Sequence, residues 1–242
     1  MSWFIRHSRN ILIASLLING IAAFFALKRV YFRQFVQTYP EIILEKPGTQ
    51  SFLNRNQLFQ TLIMDSASTV FLGNSLTQNF ELAELFPGFR LYNRGIAGDK
   101  IADVLLRLQP IIEAQPAKIF IELGTNDLGF GNSPDTILVR YTKLLHILQT
   151  KCPSTRIYIQ SILPTSRSSI MLPSYCGPKI QASILLLNQE LKSLCKQRGI
   201  QFINLYPSFA SQHFLKPEFT LDGVHLTGQG YLLWRNLLLP YL

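Results

Sequence analysis

Cysteine and histidine are both scarce in this 242-residue chain, with three of the first and four of the second. The cysteines, Cys152, Cys176 and Cys195, are odd in number and include no Cys-x-x-Cys pair. That excludes a disulfide framework. One disulfide stays open for an oxidising compartment, with no spacing to choose the pair, and buried or free thiols are the plainer reading. No His/Cys spacing has the form of a zinc site, and neither an internal repeat nor a low-complexity tract occurs. Charge is also sparse, at 15% of residues against 48% hydrophobic, which excludes a disordered chain.

Acid is absent from residues 1–40, which hold Arg6, Arg9, Lys28, Arg29 and Arg33. Those five account for more than half of the net charge of +9. The remaining surplus is spread over residues 41–242 without a basic run, which argues against nucleic acid as a partner. A basic flank beside an apolar segment suits a membrane surface instead. The apolar segment is residues 11–27, without a charge. As a helix it spans about 25 Å, slightly short of a ~30 Å hydrocarbon core. Trp3, Phe4, Tyr31 and Phe32 extend it into the interfaces. Gly20-Ile21-Ala22 puts small residues at alternate positions, but there is no clear Ala-x-Ala site and no cysteine for a lipid. We therefore expect an uncleaved signal anchor at 1–27, with a cleaved signal and a secreted or periplasmic protein as the alternative. A core helix of a soluble protein is the third reading. Lys28, Arg29 and Arg33 rival Arg6 and Arg9 as the positive flank, so charge leaves the orientation open, and the short leading tail favours the domain on the extracytoplasmic side. A juxtamembrane linker, 28–50, then leads to one domain, 51–242.

Within that domain strands and helices alternate. Strands are expected at 69–72, 89–92, 118–123, 156–163 and 200–205. Helices are expected at 54–64, 75–85, 101–115, 134–150, 179–198 and 227–239. The run Ile119-Phe120-Ile121 is apolar on both faces, as in a strand covered on both sides. This predicts an α/β fold, a three-layer α/β/α arrangement around a five-stranded, mainly parallel sheet. Ligands of such sheets bind beyond the carboxyl ends of the strands. Residues 164–178 are irregular and long enough for a flap over a site.

Chemistry-bearing residues gather at those strand ends. The first strand runs into Gly73-Asn74-Ser75, which sets a hydroxyl at the sheet edge. Ser75 as a plain helix N-cap is the bland reading. Near the end of the chain stands Asp222-Gly223-Val224-His225. In an Asp-x-x-His turn the carboxylate can accept the imidazole Nδ1–H while Nε2 faces outward, which fixes the tautomer. A serine hydroxyl is a poor nucleophile without such a base. His225 alone would read as a surface-loop histidine; with Asp222 in the same turn and Ser75 at a strand end it reads as a base.

Four stretches carry a family resemblance. Gly73-Asn74-Ser75-Leu76, Asn93-x-Gly95-Ile96-x-Gly98-Asp99, Gly124-Thr125-Asn126-Asp127 and Asp222-x-x-His225 resemble, in order, the four sequence blocks of SGNH hydrolases, also called GDSL esterases. The resemblance covers roughly residues 66–240. It is similar in particular to the branch of platelet-activating-factor acetylhydrolase catalytic subunits and carbohydrate acetylesterases. It implies a flavodoxin-like fold with Ser75 as nucleophile, His225 as general base and Asp222 as its orienting acid. It also implies an oxyanion hole of the Ser75 and Gly98 backbone N–H groups and the Asn126 amide. Gly95 lies in the same turn as Gly98 and competes for that role. No metal or organic cofactor is implied. The family's first block usually has Asp where this chain has Asn74, which keeps an acceptor oxygen and loses a charge. Asp99 and Asp127 read as loop caps.

The leading expectation is thus a serine esterase acting on small acyl, chiefly acetyl, esters, with an O-acetylated glycan or a lysolipid as the candidate substrate. Acyl transfer onto a cell-envelope glycan, a lysophospholipase or other lipid acylhydrolase, and a silent binding module on the same fold are the rivals. Neither 164–178 nor 209–221 has the long apolar tract of a lipid-tail channel, which favours short acyl groups.

Overall fold

The computed structural model describes residues 50–242. The expected anchor and linker lie outside the described residues, except that Gln50 opens the first helix. Among the described residues no helix is long and apolar enough to cross a membrane.

The core is one parallel sheet of β1 (Thr69–Gly73), β2 (Leu91–Gly95), β3 (Lys118–Glu122), β4 (Arg156–Gln160) and β5 (Gln201–Ile203), in the order β2-β1-β3-β4-β5. The order reverses at β1, and the carboxyl end of a strand beside such a reversal is where this fold class binds ligands. Successive side chains along a strand face opposite ways. Val70, Leu72, Ile119 and Ile121 therefore pack on one side, against α4 (Ile101–Leu105), α5 (Gln109–Ala114), α7 (Pro134–Lys151) and α8 (Pro178–Arg198). Phe71 and Phe120 face the other side, toward α10 (Gly228–Leu238) and its buried Trp234. There the rings stack across the sheet, Phe71 on Phe120 at 5.0 Å and Phe120 on Tyr158 at 4.5 Å. Helix α1 (Gln50–Thr61) packs Phe52 and Phe59 against Ile96, just past the end of β2.

Several boundaries differ from expectation, each for a local reason. The second strand is 91–95 rather than 89–92, because Asn93, Arg94 and Gly95 pair with Phe71, Leu72 and Gly73. The helix expected at 75–85 is two short pieces, α2 (Ser75–Gln78) and α3 (Leu82–Leu85). The helix expected at 101–115 divides into α4 and α5 at Leu106-Arg107-Leu108, ahead of Pro110. The fourth strand stops at Gln160 because the Asn188 side-chain amide takes both the N–H and the carbonyl of Ile162, at 2.8 and 2.9 Å. The segment between the last expected strand and the last expected helix, where no element is expected, holds α9 (Tyr206–Phe209) and a hairpin, β6 (Ala210–Ser211) with β7 (Phe214–Leu215). Its turn residues Gln212 and His213 both have positive φ. Such a turn is usually signalled by Asn-Gly, which residues 210–215 lack.

Glu122 ends β3 in a fully buried position, and among the described residues neither carboxyl oxygen meets a hydrogen-bond partner. Burial pushes its pKa up from the ordinary 4.5 to about 8, so the group is neutral at pH 7 in the fold and ionised in the unfolded chain. The raised folded pKa makes its contribution complete below pH 4.5 and lost as pH rises to about 8. The slope is at most about 1.4 kcal/mol per pH unit. Glu122→Gln is expected to remove that slope, so that urea unfolding at pH 5 and pH 8 narrows to one stability while the parent loses a few kcal/mol. A parent-to-variant gap that does not change with pH would show that Glu122 does not titrate in this range.

Candidate active site

Gly73 is where β1 ends and α2 begins. A Cβ there would lie 2.0 Å from Thr77 Oγ1 and 2.8 Å from the Glu122 carbonyl oxygen, so only glycine admits this turn. Asn74 caps α2, its Oδ1 accepting the Leu76 N–H at 2.9 Å. The acceptor oxygen shared by Asn and Asp is the atom used, and the Asn74 Nδ2 is buried without a hydrogen-bond partner among the described residues. The other end of α2 is held by Asn93, whose Nδ2 donates to the carbonyls of Thr77 (2.6 Å) and Phe80 (3.0 Å). Tyr231 Oη donates to the Leu76 carbonyl at 3.0 Å. Ser75 is thus the half-buried first residue of a helix fixed at both ends.

Asp222 and His225 sit in a loop closed by a bridge between Thr220 and Leu226. Asp222 Oδ1 accepts the N–H groups of Val224 (2.9 Å) and His225 (2.8 Å), which folds the turn upon itself. Its Oδ2 lies 2.6 Å from His225 Nδ1, and His225 Nε2 lies 2.9 Å from Ser75 Oγ. Burial by itself would raise the Asp222 carboxyl, but the hydrogen bond and charge of His225 and the two backbone N–H groups outweigh it and hold it at about 2. An ionised Asp222 makes Nδ1 the protonated nitrogen, which leaves Nε2 to accept the serine proton.

Residues 164–178 do not lie as a free flap. Ser169 Oγ donates to the Asp222 carbonyl at 2.5 Å, and the Ser166 N–H donates to the Gly223 carbonyl at 2.9 Å, so the loop braces the Asp222 turn from behind. A cavity of about 540 Å³ lies there, lined in part by Ser169, Ile170, Met171 and Leu221.

The remaining expected residues gather at the ends of β2 and β3. Gly98 has φ +81, within the turn that the Asp99 N–H closes on the Ile96 carbonyl. Gly95 is excluded from the donor role: its N–H is taken by Asn93 Oδ1 at 2.9 Å. Its missing Cβ is instead a packing need, since one would fall 2.2 Å from the Gln78 backbone nitrogen. Asn126 lies in α6 (Thr125–Gly129), buried, and its Nδ2 donates one hydrogen to the Asp99 carbonyl at 2.9 Å. A primary amide has a second, and the first bond aims it.

Asp127 does cap, accepting the Ile101 N–H at 3.1 Å while pairing with Arg140 at 2.9 Å. Asp99 is not a loop cap. Its carboxylate forms an ion pair with Arg107 at 2.6 Å, and the two side chains are 1% and 2% exposed. Burial pushes Asp99 up to about 6 against the pull of Arg107. Asn93 and Arg107 are the residues that sequence reasoning missed. Asn93 belongs to the second of the four sequence blocks, where nothing local gives it a role, and Arg107 sits unmarked in a helical run. All three thiols are free, with Cys152 and Cys195 buried. Among the described residues no group of His, Cys, Asp and Glu is placed to hold a metal ion.

Chemically, the arrangement offers a hydroxyl beside an unprotonated imidazole nitrogen that is backed by a carboxylate, with an oriented amide nearby. These are the parts of an acyl-transfer site. Comparison with known proteins agrees. A Streptococcus pneumoniae protein of known structure, provisionally described as a platelet activating factor, is 25% identical, and the match covers 86% of this chain and 98% of that one with a TM-score of 0.72. A GDSL-like lipase from Bacteroides thetaiotaomicron is similar in fold, at 23% identity, 78% and 96% coverage and a TM-score of 0.69. The N-acylneuraminate cytidylyltransferase of Streptococcus agalactiae is 25% identical over 169 residues, 70% of this chain, and the match spans only 37% of that longer protein. Residues 71–233, which include Ser75, Gly98, Asn126, Asp222 and His225, match the GDSL-like lipase/acylhydrolase family. With more than half of its length in that match, the chain belongs to the GDSL-like lipase/acylhydrolase family.

Proposed function

We propose that this protein is a serine esterase of short acyl, chiefly acetyl, esters. One observation carries the reading: Ser75 Oγ, His225 Nε2, His225 Nδ1 and Asp222 Oδ2 form an unbroken chain of 2.9 and 2.6 Å contacts. Ser75 Oγ attacks the ester carbonyl carbon as Nε2 takes its proton. The negative charge that develops on the carbonyl oxygen is met by the N–H groups of Ser75 and Gly98 and by the Asn126 amide. The imidazolium then protonates the departing alcohol oxygen, which leaves an acyl-Ser75 ester. Water repeats the sequence with the same base and frees the acid. The donors are neutral, so the product carboxylate is not held by a fixed charge. The preference for short chains rests on residues 164–178 and 209–221, which hold no long apolar tract.

In this reading residues 1–27 anchor the protein and place the domain outside the cytoplasm, and the chemistry needs only residues 41–242. The test is a series of nitrophenyl esters of increasing acyl length, and then acetylated glycans, on the full chain and on residues 41–242. Acetate and its near neighbours are expected to be cleaved fastest, with similar rates in the two proteins. A preference that climbs with chain length, or a folded 41–242 fragment inert on esters that the full chain cleaves, would overturn it.

A further inference from the structure

We propose that the buried Asp99–Arg107 pair is a positioning clamp, which keeps the oxyanion donors in register with the nucleophile. The inference rests on the esterase reading above.

Three short segments supply the donors, and the pair touches all of them. Arg107 Nε and Nη2 both reach Asp99 Oδ2, at 2.7 and 2.6 Å. The same Nη2 donates to the Gly73 carbonyl at 3.2 Å, two residues before Ser75. Asp99 directly follows Gly98, and its carbonyl accepts the Asn126 amide at 2.9 Å. Each donor is thus at most two residues from a contact of Asp99 or Arg107, through a side chain at Gly73 and through the Asp99 backbone at Gly98 and Asn126. A second bond, from the Ile96 N–H to the Gly73 carbonyl at 3.2 Å, draws the Gly98 turn toward the same point.

Such a turn needs holding. Gly98 lies in the left-handed region, where glycine is at ease but is also free to leave. A donor displaced by about 1 Å can cost of order a hundredfold in rate. Stability is a poor reason for the pair, since replacing a buried ion pair by apolar groups is often neutral or stabilising. What a guanidinium adds is a rigid planar fork, with Nε and Nη2 both on Asp99 Oδ2 and Nη2 also on the Gly73 carbonyl, a fixed geometry that a flexible lysine ammonium does not hold. Arg107 and the Asp99 carboxylate touch no reacting atom in this scheme. They act through Gly73, Gly98 and Asn126.

The test compares Arg107→Lys with the parent on a nitrophenyl ester and on its thionoester, whose sulfur draws little from hydrogen-bond donors. On the oxygen ester kcat is expected to fall about tenfold to a hundredfold, with KM within a few-fold. On the thionoester the loss should nearly vanish. In an Asn126→Ala background the same substitution should cost only a few-fold, because part of what it disturbs is already gone. If Arg107→Lys does not fold, Asp99→Asn with Arg107→Gln removes both charges together, leaves no unpaired charge and carries the same expectations. A folded variant with parental kcat, or one that loses equally on ester and thionoester, removes the clamp and leaves the esterase standing. A parent enzyme inert on every ester and unlabelled by a fluorophosphonate at Ser75 would bring down the esterase reading, and the clamp with it.

Discussion

His225→Ala is expected to lower turnover by roughly three to six orders of magnitude, as the loss of a triad base does. Among the described residues its Nε2 is the one acceptor placed on Ser75 Oγ, at 2.9 Å, and alanine leaves the hydroxyl none of them to take its proton. The fold should survive, because His225 is half-buried and its loop is closed by the Thr220–Leu226 bridge and by bonds to the backbone N–H groups. His213→Ala is the control. His213 is exposed on the β6–β7 turn, and it is held through its carbonyl, which accepts from Tyr206 Oη at 2.7 Å. Its loss should leave kcat within a few-fold. Asp222, held at about 2, stays ionised at any pH well above that value, so its hold on the imidazole Nδ1–H persists in the parent. Kinetics of the two alanine variants on one nitrophenyl ester decide the matter. Equal losses at the two positions would break the assignment of the base.

The second large effect is expected at Asn126. Its amide is proposed to meet charge that is present in the transition state and nearly absent in the bound ester, so it should raise turnover without tightening binding. Asn126→Ala should lower kcat by about a hundredfold to a thousandfold with KM nearly unchanged. Asn126→Asp should be at least as damaging. A carboxylate can no longer donate to the Asp99 carbonyl, which it would meet at 2.9 Å, and it would repel the developing oxyanion. If Asn126 only shapes the turn after β3, the outcome reverses: Asp suits such turns, so Asn126→Asp would be mild, and Asn126→Ala would lower Tm and spare kcat. Measuring kcat, KM and Tm on both variants separates the two. A stable Asn126→Asp enzyme with near-parental kcat would remove Asn126 from the site.

Local order is what this sequence encodes openly. The apolar runs around Phe71 and Ile119-Phe120-Ile121, with helical spacing between them, are enough for an α/β fold with a parallel sheet. The pairing of Asp222 with His225 is also local, since three residues and one turn bring them together, and Ser75 at a strand end results from the break at Gly73. The approach of Ser75 to His225, 150 residues apart, belongs to the tertiary structure. So does the part played by Arg107. In sequence it is one cation in a helical run, and only the break between α4 and α5 with the packing of β1 against β2 brings it to both Asp99 and Gly73. Asn93 obeys the same logic, because its donors find the end of α2 only when β2 lies beside β1. The hairpin at 210–215 escaped because its turn takes positive φ at Gln212 and His213, where no glycine announces it. Periodicity reports which face of an element is buried, and burial of apolar area is additive along the chain. A hydrogen bond or a buried ion pair depends on two groups meeting within a few tenths of an ångström, and their sequence positions carry no record of that distance.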